Sequence, residues 1–145
     1  MKYSIEQLFH IDADQEKVFT ALTTMNGLKN WWTIAAAGKP ELNGEIQFNF
    51  GDFIGPRMRV TTIDSNKKLV WTCIESAQGW LNHQFIFQLD ENEGKTRIRF
   101  RHEGWDEQSD FYAACNFSWG RYLESLRQYC QTGKGEAHGS EGHRK

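Results

Sequence analysis

The chain has 145 residues, enough for one domain with a core of its own. With 17 Lys and Arg against 19 Asp and Glu, the formal net charge is -2, which gives no electrostatic ground for a nucleic-acid or anionic-membrane partner. No apolar run approaches a membrane span, and the three cysteines (Cys73, Cys115, Cys130) lack CxxC spacing, so the reading is a cytoplasmic chain with reduced thiols.

The first stretch, MKYSIEQLF, alternates instead of forming a signal-peptide block. Residues 2–11 place Tyr3, Ile5, Phe9 and Ile11 on one face of a strand. Asp12 or Asp14 then offers an N-cap for DQEKVFTALT, whose Val18, Phe19 and Leu22 make a short amphipathic face. MNGLKNWW reads as a second short helix or turn carrying Trp31 and Trp32, and TIAAAGKPELNGE reads as a loop punctuated by Gly38, Pro40 and Gly44.

From Gly44 the apolar period becomes two. EIQFNF, RMRVTTI, LVWTCIE, LNHQFIFQL and TRIRFRHE predict five strands, with GDFIGP as a turn between the first two. Their short connections imply antiparallel neighbours. LVWTCIE is apolar on both faces, as a central strand or a strongly curved sheet requires. SDFYAACNFSWGRYLESLRQYCQT then predicts a helix of roughly 35 Å. Its apolar arc includes Phe111, Tyr112, Cys115, Trp119, Tyr122, Leu123, Leu126, Tyr129 and Cys130, and Gly133 stands just past its end. Six strands need one face covered, and this helix alone is long enough to cover it. The remainder, GKGEAHGSEGHRK, is polar and glycine-rich, so residues 134–145 are expected to be a disordered tail after a domain spanning 1–133.

The opening I-E-Q-L-F-H-I-D-A-D-Q-E-K-V-F-T-A-L-T with L-K-N-W-W, the mid-chain K-L-V-W-T-C, and T-R-I-R-F-R-H-E-G-W followed by S-W-G-R-Y-L-E-S-L resemble the START-like SRPBCC superfamily. Within it the chain is similar to the branch named for the activator of the heat-shock-protein-90 ATPase, over about residues 2–133. The resemblance implies an α+β helix-grip fold of the START-like, Bet v-like kind. In it a curved six-stranded antiparallel sheet grips a long C-terminal helix, with two short helices after the first strand and an apolar cavity between sheet and helix. The cochaperone proper is similar only through its C-terminal domain. A chain beginning at the first strand is expected to lack the additional N-terminal domain, which makes a chaperone partner unlikely. Superfamily members include lipid carriers and polyketide cyclases.

The residues expected to line the cavity are Trp32, then Phe48, Phe50 and Met58, then Trp71, His83 and Phe85, then Phe100 and His102. From the long helix come Tyr112, Cys115, Asn116 and Trp119. Tyr122 lies on the same side. His83 and His102 sit on the apolar faces of adjacent strands, where they serve as satisfied structural groups, as polar anchors, or as a general base. Cys115 in an apolar setting is inert. Trp105 plugs the strand-to-helix corner, with Gly104 allowing the bend. Phe117 stands alone among polar residues, either as an ordinary exposed side chain or as a homodimer contact. Arg97, Arg99 and Arg101 form a basic stripe on an outer face. No nucleotide loop, hydrolase elbow or metal-ligand spacing appears, so no catalytic residue, metal or cofactor is expected. The reading is a non-catalytic binder of a small apolar or aromatic ligand. A cyclase, dehydrase or hydrolase using the same pocket, and a cochaperone-like interaction protein, are the alternatives.

Overall fold

A computed structural model describes residues 2–143. The elements run β1 (Tyr3–Ile11), α1 (Gln15–Thr23), α2 (Met25–Trp31), β2 (Ala35–Gly38), β3 (Glu45–Phe50), β4 (Phe53–Asp64), β5 (Lys68–Glu75), β6 (Gln84–Asn92), β7 (Lys95–Trp105) and α3 (Asp110–Thr132). The strands form one antiparallel sheet in the order β1-β7-β6-β5-β4-β3-β2. Register shifts in β4 against both its neighbours, at Arg57/Met58 and Val60/Thr62 against β5 and at Gln47/Asn49 of β3, are bulges of the kind that bend a sheet. This is the α+β helix-grip architecture.

The sheet has seven strands rather than the expected six. The extra one is β2, which pairs Ala35–Gly38 with Ile46–Asn49 across a stretch read as loop. Three alanines carry too little apolar contrast to show a period of two, and only the β3 edge recruits them. The GDFIGP segment is likewise mostly strand. The chain reverses at Gly51 and Asp52, and β4 resumes at Phe53.

Each helix starts on a side-chain cap that answers a free backbone N–H. Asp14 Oδ1 accepts from Lys17 N at 2.8 Å, Thr24 Oγ1 from Gly27 N at 3.1 Å, and Ser109 Oγ from Tyr112 N at 3.3 Å. α3 ends at Gly133, whose φ of 85° lets its N–H reach Tyr129 O at 2.8 Å. α3 buries Cys115, Trp119, Leu123, Leu126 and Cys130 against the sheet, a stripe at helical spacing.

Residues 134–143 do not run free of the domain, as composition implied. Ala137 is fully buried, Glu136 N donates to Ser125 Oγ at 2.6 Å, and His138 bridges to the segment after α2. There His138 N donates to Trp32 O at 2.8 Å and accepts at its carbonyl from Ile34 N at 3.1 Å. Ser125 is the physical reason: a hydroxyl buried on α3 needs a partner, and the returning chain supplies an N–H. The last two tail positions, Arg144 and Lys145, lie outside the described residues. The stripe Arg97, Arg99 and Arg101 is neutralised on the sheet itself, by Asp90 for the first two and by Glu103 and Glu6 for the third.

Candidate functional site

The space beneath α3 is largely filled by rings. Trp32 stacks on Trp71 (centroids 5.7 Å apart, planes 3° from parallel) and contacts Phe48 at 4.3 Å and Trp119 at 5.1 Å. Phe100 adds a contact to Trp119 at 4.5 Å. Phe48, Met58, Trp71, Phe85 and Phe100 have no accessible surface. The expected cavity-lining residues of the sheet are therefore mostly core, because large aromatic side chains pack against one another instead of leaving a void. Fully burying each stabilises the fold by about 1.5–3 kcal/mol.

Open space remains at the mouth of the grip, a cleft of about 310 Å³. Trp32 and Trp119 form its floor, Phe50 and Phe53 of the β3–β4 hairpin one wall, and Gln78 and Trp80 of the β5–β6 connection another. Cys115, Ser118 and Tyr122 of α3 and His138 of the returning tail complete it. Trp80 and Trp119 lie near-parallel, 16° apart with centroids at 6.3 Å. Among the described residues Gln78 Oε1 is a buried acceptor without a hydrogen-bond partner, and the buried Trp80 Nε1–H has no nitrogen or oxygen acceptor, only the weakly accepting Cys115 sulfur. Burial pushes the Cys115 thiol up to about 11, with the Trp80 N–H acting against the rise, so this sulfur is not a nucleophile at neutral pH.

Of the expected lining residues, Trp32, Phe50, Cys115 and Trp119 border the cleft. Asn116 and Tyr112 do not. Asn116 is exposed and accepts from Gln7 Nε2 at 2.8 Å on the β1 side of the helix. Tyr112 donates its hydroxyl to Ser4 O at 2.7 Å and packs edge-on against Trp105. Both fall one step around the helix from the Cys115–Trp119 line, and β1, the sheet edge, satisfies them. Trp80, Gln78, Phe53 and His138 join the cleft from loops, a hairpin and the tail. The aromatic and the glycine in SAQGW are the one local signal that could have found Trp80.

His83 and His102 are brought together. His83 Nδ1 and His102 Nε2 are 2.9 Å apart, and Trp119 Nε1 lies 3.1 Å from His102 Nδ1. An indole nitrogen only donates. His102 Nδ1 is therefore the acceptor, its proton sits on Nε2 and is donated to His83 Nδ1, and neutral His83 carries its own proton on Nε2. Burial pulls His102 down to about 2, aided by the neighbouring His83, which keeps it neutral. Burial also lowers His83, reinforced by the Lys2 ammonium and opposed by the Asp106 carboxylate. The arrangement presents an N–H outward from His83 rather than a lone pair, so it offers a hydrogen-bond donor and not a general base.

His83 lines a second, polar groove of about 830 Å³, bordered by Lys2, Ser4, Asn82, Arg101, Glu103 and Asp106. It is the larger space. Its charged walls cannot desolvate an apolar ligand, so the smaller aromatic cleft is the better apolar site. Among the described residues no group of three His, Cys, Asp or Glu side chains is placed to hold a metal ion, and no helix is long and apolar enough to cross a membrane.

Comparison with known proteins places this geometry in a family. The family model described as "Activator of Hsp90 ATPase homolog 1-like protein" matches residues 12–131. The solution structure of the Aha1 dimer from Colwellia psychrerythraea is 36% identical, with a TM-score of 0.83 over 92% of this chain and 99% of that one. Protein SSP2350 from Staphylococcus saprophyticus superposes with a TM-score of 0.77 at 18% identity, covering 93% of this chain and 97% of that one. CalU16 from Micromonospora echinospora does so at 0.74 and 18%, covering 90% and 67% respectively. These last two share the fold alone. No curated protein matches. With the match spanning both short helices, all of β2 to β7 and nearly all of α3, the chain belongs to the Activator of Hsp90 ATPase homolog 1-like family, within the START-like SRPBCC superfamily.

Proposed function

We propose that the protein is a non-catalytic binder of a small, flat apolar or aromatic molecule, held in the cleft between Trp80, Trp119 and Trp32. The observation that carries this reading is the pairing of aromatic walls with two buried polar atoms poorly satisfied among the described residues, Gln78 Oε1 with no partner and Trp80 Nε1 with only the weakly accepting Cys115 sulfur. Buried polar groups are rarely left unpaired, and a ligand with one donor and one acceptor answers both. At about 310 Å³ the cleft lies at the small end of the roughly 300–1,000 Å³ usual for ligand pockets, the size of a fused-ring aromatic rather than a lipid. Among the described residues the raised Cys115 thiol and the neutral His102–His83 pair supply no activated nucleophile or base, which favours binding over the cyclase or hydrolase alternative. Three unpaired cysteines accord with a reducing, cytoplasmic setting.

The test is a titration with 2-naphthol followed by tryptophan fluorescence, alongside native mass spectrometry of freshly purified protein. Saturable quenching that is lost in Ser118→Trp, which fills the cleft from the exposed side of α3, supports the reading. Quenching that does not saturate, or that is the same in Ser118→Trp, defeats it.

A homodimer is a second reading. Phe117 is 71% exposed on α3, and the Colwellia psychrerythraea relative is described as a dimer. Sedimentation of the wild type against Phe117→Ser decides it, a monomeric wild type ending the idea. The chaperone-partner reading rests on the family name alone. A pull-down with the chaperone, followed by its ATPase assay, tests it.

A further inference from the structure

The His83 groove and the aromatic cleft lie at opposite ends of one hydrogen-bonded line, and the line has a fixed direction. Trp119 forms part of the cleft floor and donates to His102, which donates to His83. His83 is 7% exposed, and its only side-chain hydrogen bond among the described residues is the one to His102. Its remaining N–H, on Nε2, belongs to a residue that lines the groove and has no acceptor among the described residues.

The surroundings of that N–H define what it can take. From the chain before β1 comes Lys2, from the loop before β6 the neutral Asn82, from β7 Arg101 and Glu103, and from the turn after β7 Asp106. His102 faces it from within. The two carboxylates already hold cations: Asp106 is 2.6 Å from Lys2 Nζ, and Glu103 is 2.7 Å from Arg101. Neither accepts from His83. Lys2 is two-thirds exposed and, among the described residues, bound at one oxygen, which leaves its ammonium two further donors.

We propose that the groove is a second binding site, taking a small carboxylate that accepts from the His83 Nε2–H with the Lys2 ammonium beside it, and that its occupancy is felt at Trp119 in the cleft. The coupling needs no movement of the chain. An anionic acceptor on Nε2 draws charge through the His83 ring and makes Nδ1 a stronger acceptor for His102. His102 Nδ1 becomes in turn a stronger acceptor for the Trp119 indole N–H, because hydrogen bonds in a chain polarise one another. No proton changes residue and no bond is made or broken. The site is independent of whatever the cleft holds, so failure of either reading leaves the other standing.

The experiment is an NMR titration of the full-length 15N-labelled protein with sodium acetate at pH 7. Sodium chloride at matched ionic strength and neutral acetamide are the comparisons. Acetate should produce saturable shifts at the His83 ring nitrogens and a downfield shift of the Trp119 indole proton following the same curve. Chloride and acetamide should not. Lys2→Ala, at an exposed position, should weaken acetate binding about two- to fivefold with the fold unchanged. His83→Gln should abolish saturation. Should that variant fail to fold, the acetate–acetamide difference and Lys2→Ala decide the matter on folded protein. Shifts that rise linearly, or are equal with chloride, mean an adventitious ion only and overturn the site. Saturation at His83 with an unmoved Trp119 overturns the coupling.

Discussion

Trp119 donates its indole N–H to Nδ1 of His102 across 3.1 Å, and this one bond sets the protonation pattern of everything beyond it. Because the indole cannot accept, His102 is held in its Nε2–H tautomer, and His83 follows. A residue on the long helix thus decides what a residue before β6 shows to solvent.

Replacing Trp119 by Phe keeps an aromatic ring but removes the donor. His102 Nδ1, in a residue with no accessible surface, is then left without its partner, at a cost of about 1–3 kcal/mol on top of lost packing. Urea denaturation should show that loss, and 15N shifts should show His102 no longer confined to one tautomer. A variant as stable as the wild type, with unchanged ring shifts, contradicts the assignment.

Stability should fall with acid before any carboxylate titrates. Both His83 and His102 lie below their ordinary 6.5 in the folded chain, so folding favours their neutral forms. Their contribution is complete above about pH 6.5 and is lost as pH falls towards the folded values, for His102 as far as about 2. His102 alone is then expected to remove about 2 kcal/mol between pH 7.5 and pH 5. The lowered Asp90 and Asp106 act with the same sign on pH, but only below their ordinary 3.8. Urea midpoints measured across this range check it, and a flat profile down to pH 5 rules it out.

The Gly104 backbone lies directly against His83. Its φ is 111°, and a Cβ built there would sit 2.8 Å from His83 Cδ2. Gly104→Ala should therefore cost about 1–3 kcal/mol and displace the His83 ring. Gly94→Ala is the control: φ there is 79° with nothing within 4 Å, so it bears the backbone strain alone. Equal thermal shifts for the two variants would contradict a contact role for Gly104.

The thiols should be silent in the folded protein. Burial raises Cys73 and Cys115 to about 11 and Cys130 to about 12. Ellman's reagent at pH 7.5 is expected to label none of them within minutes and all three after denaturation. Rapid reaction of Cys115 in native protein would show the cleft opening far wider than its geometry here.

Ser125 anchors the returning tail through Glu136 N. Ser125→Ala should cost about 1 kcal/mol and speed proteolytic cleavage after Gly133. Cleavage at the wild-type rate would show that the tail is held without this bond.

The strand alternation, the two short helices and the amphipathic final helix were legible in the sequence because each repeats its period over enough residues to stand out. Even the placement of His83 and His102 on one face followed from that alternation. The alanines of β2 and the tail from Gly135 to Ser140 show no such period, and only their partners, β3, Ser125 and the segment after α2, order them. Asn116 illustrates the limit in the other direction. Its helical angle sets it at the edge of the apolar arc, but the neighbour that claims it, Gln7, lies 109 residues away.

What the sequence determined by itself was the order of elements and which side chains leave water, since both depend on local period and hydrophobicity. Whether the enclosed space stays open, and which nitrogen of each histidine carries its proton, were decided by tertiary structure. The first depends on how the Trp and Phe rings, drawn from four strands and two helices, fill a shared volume. The second depends on a single donor-only indole arriving from α3, a contact that no local pattern encodes.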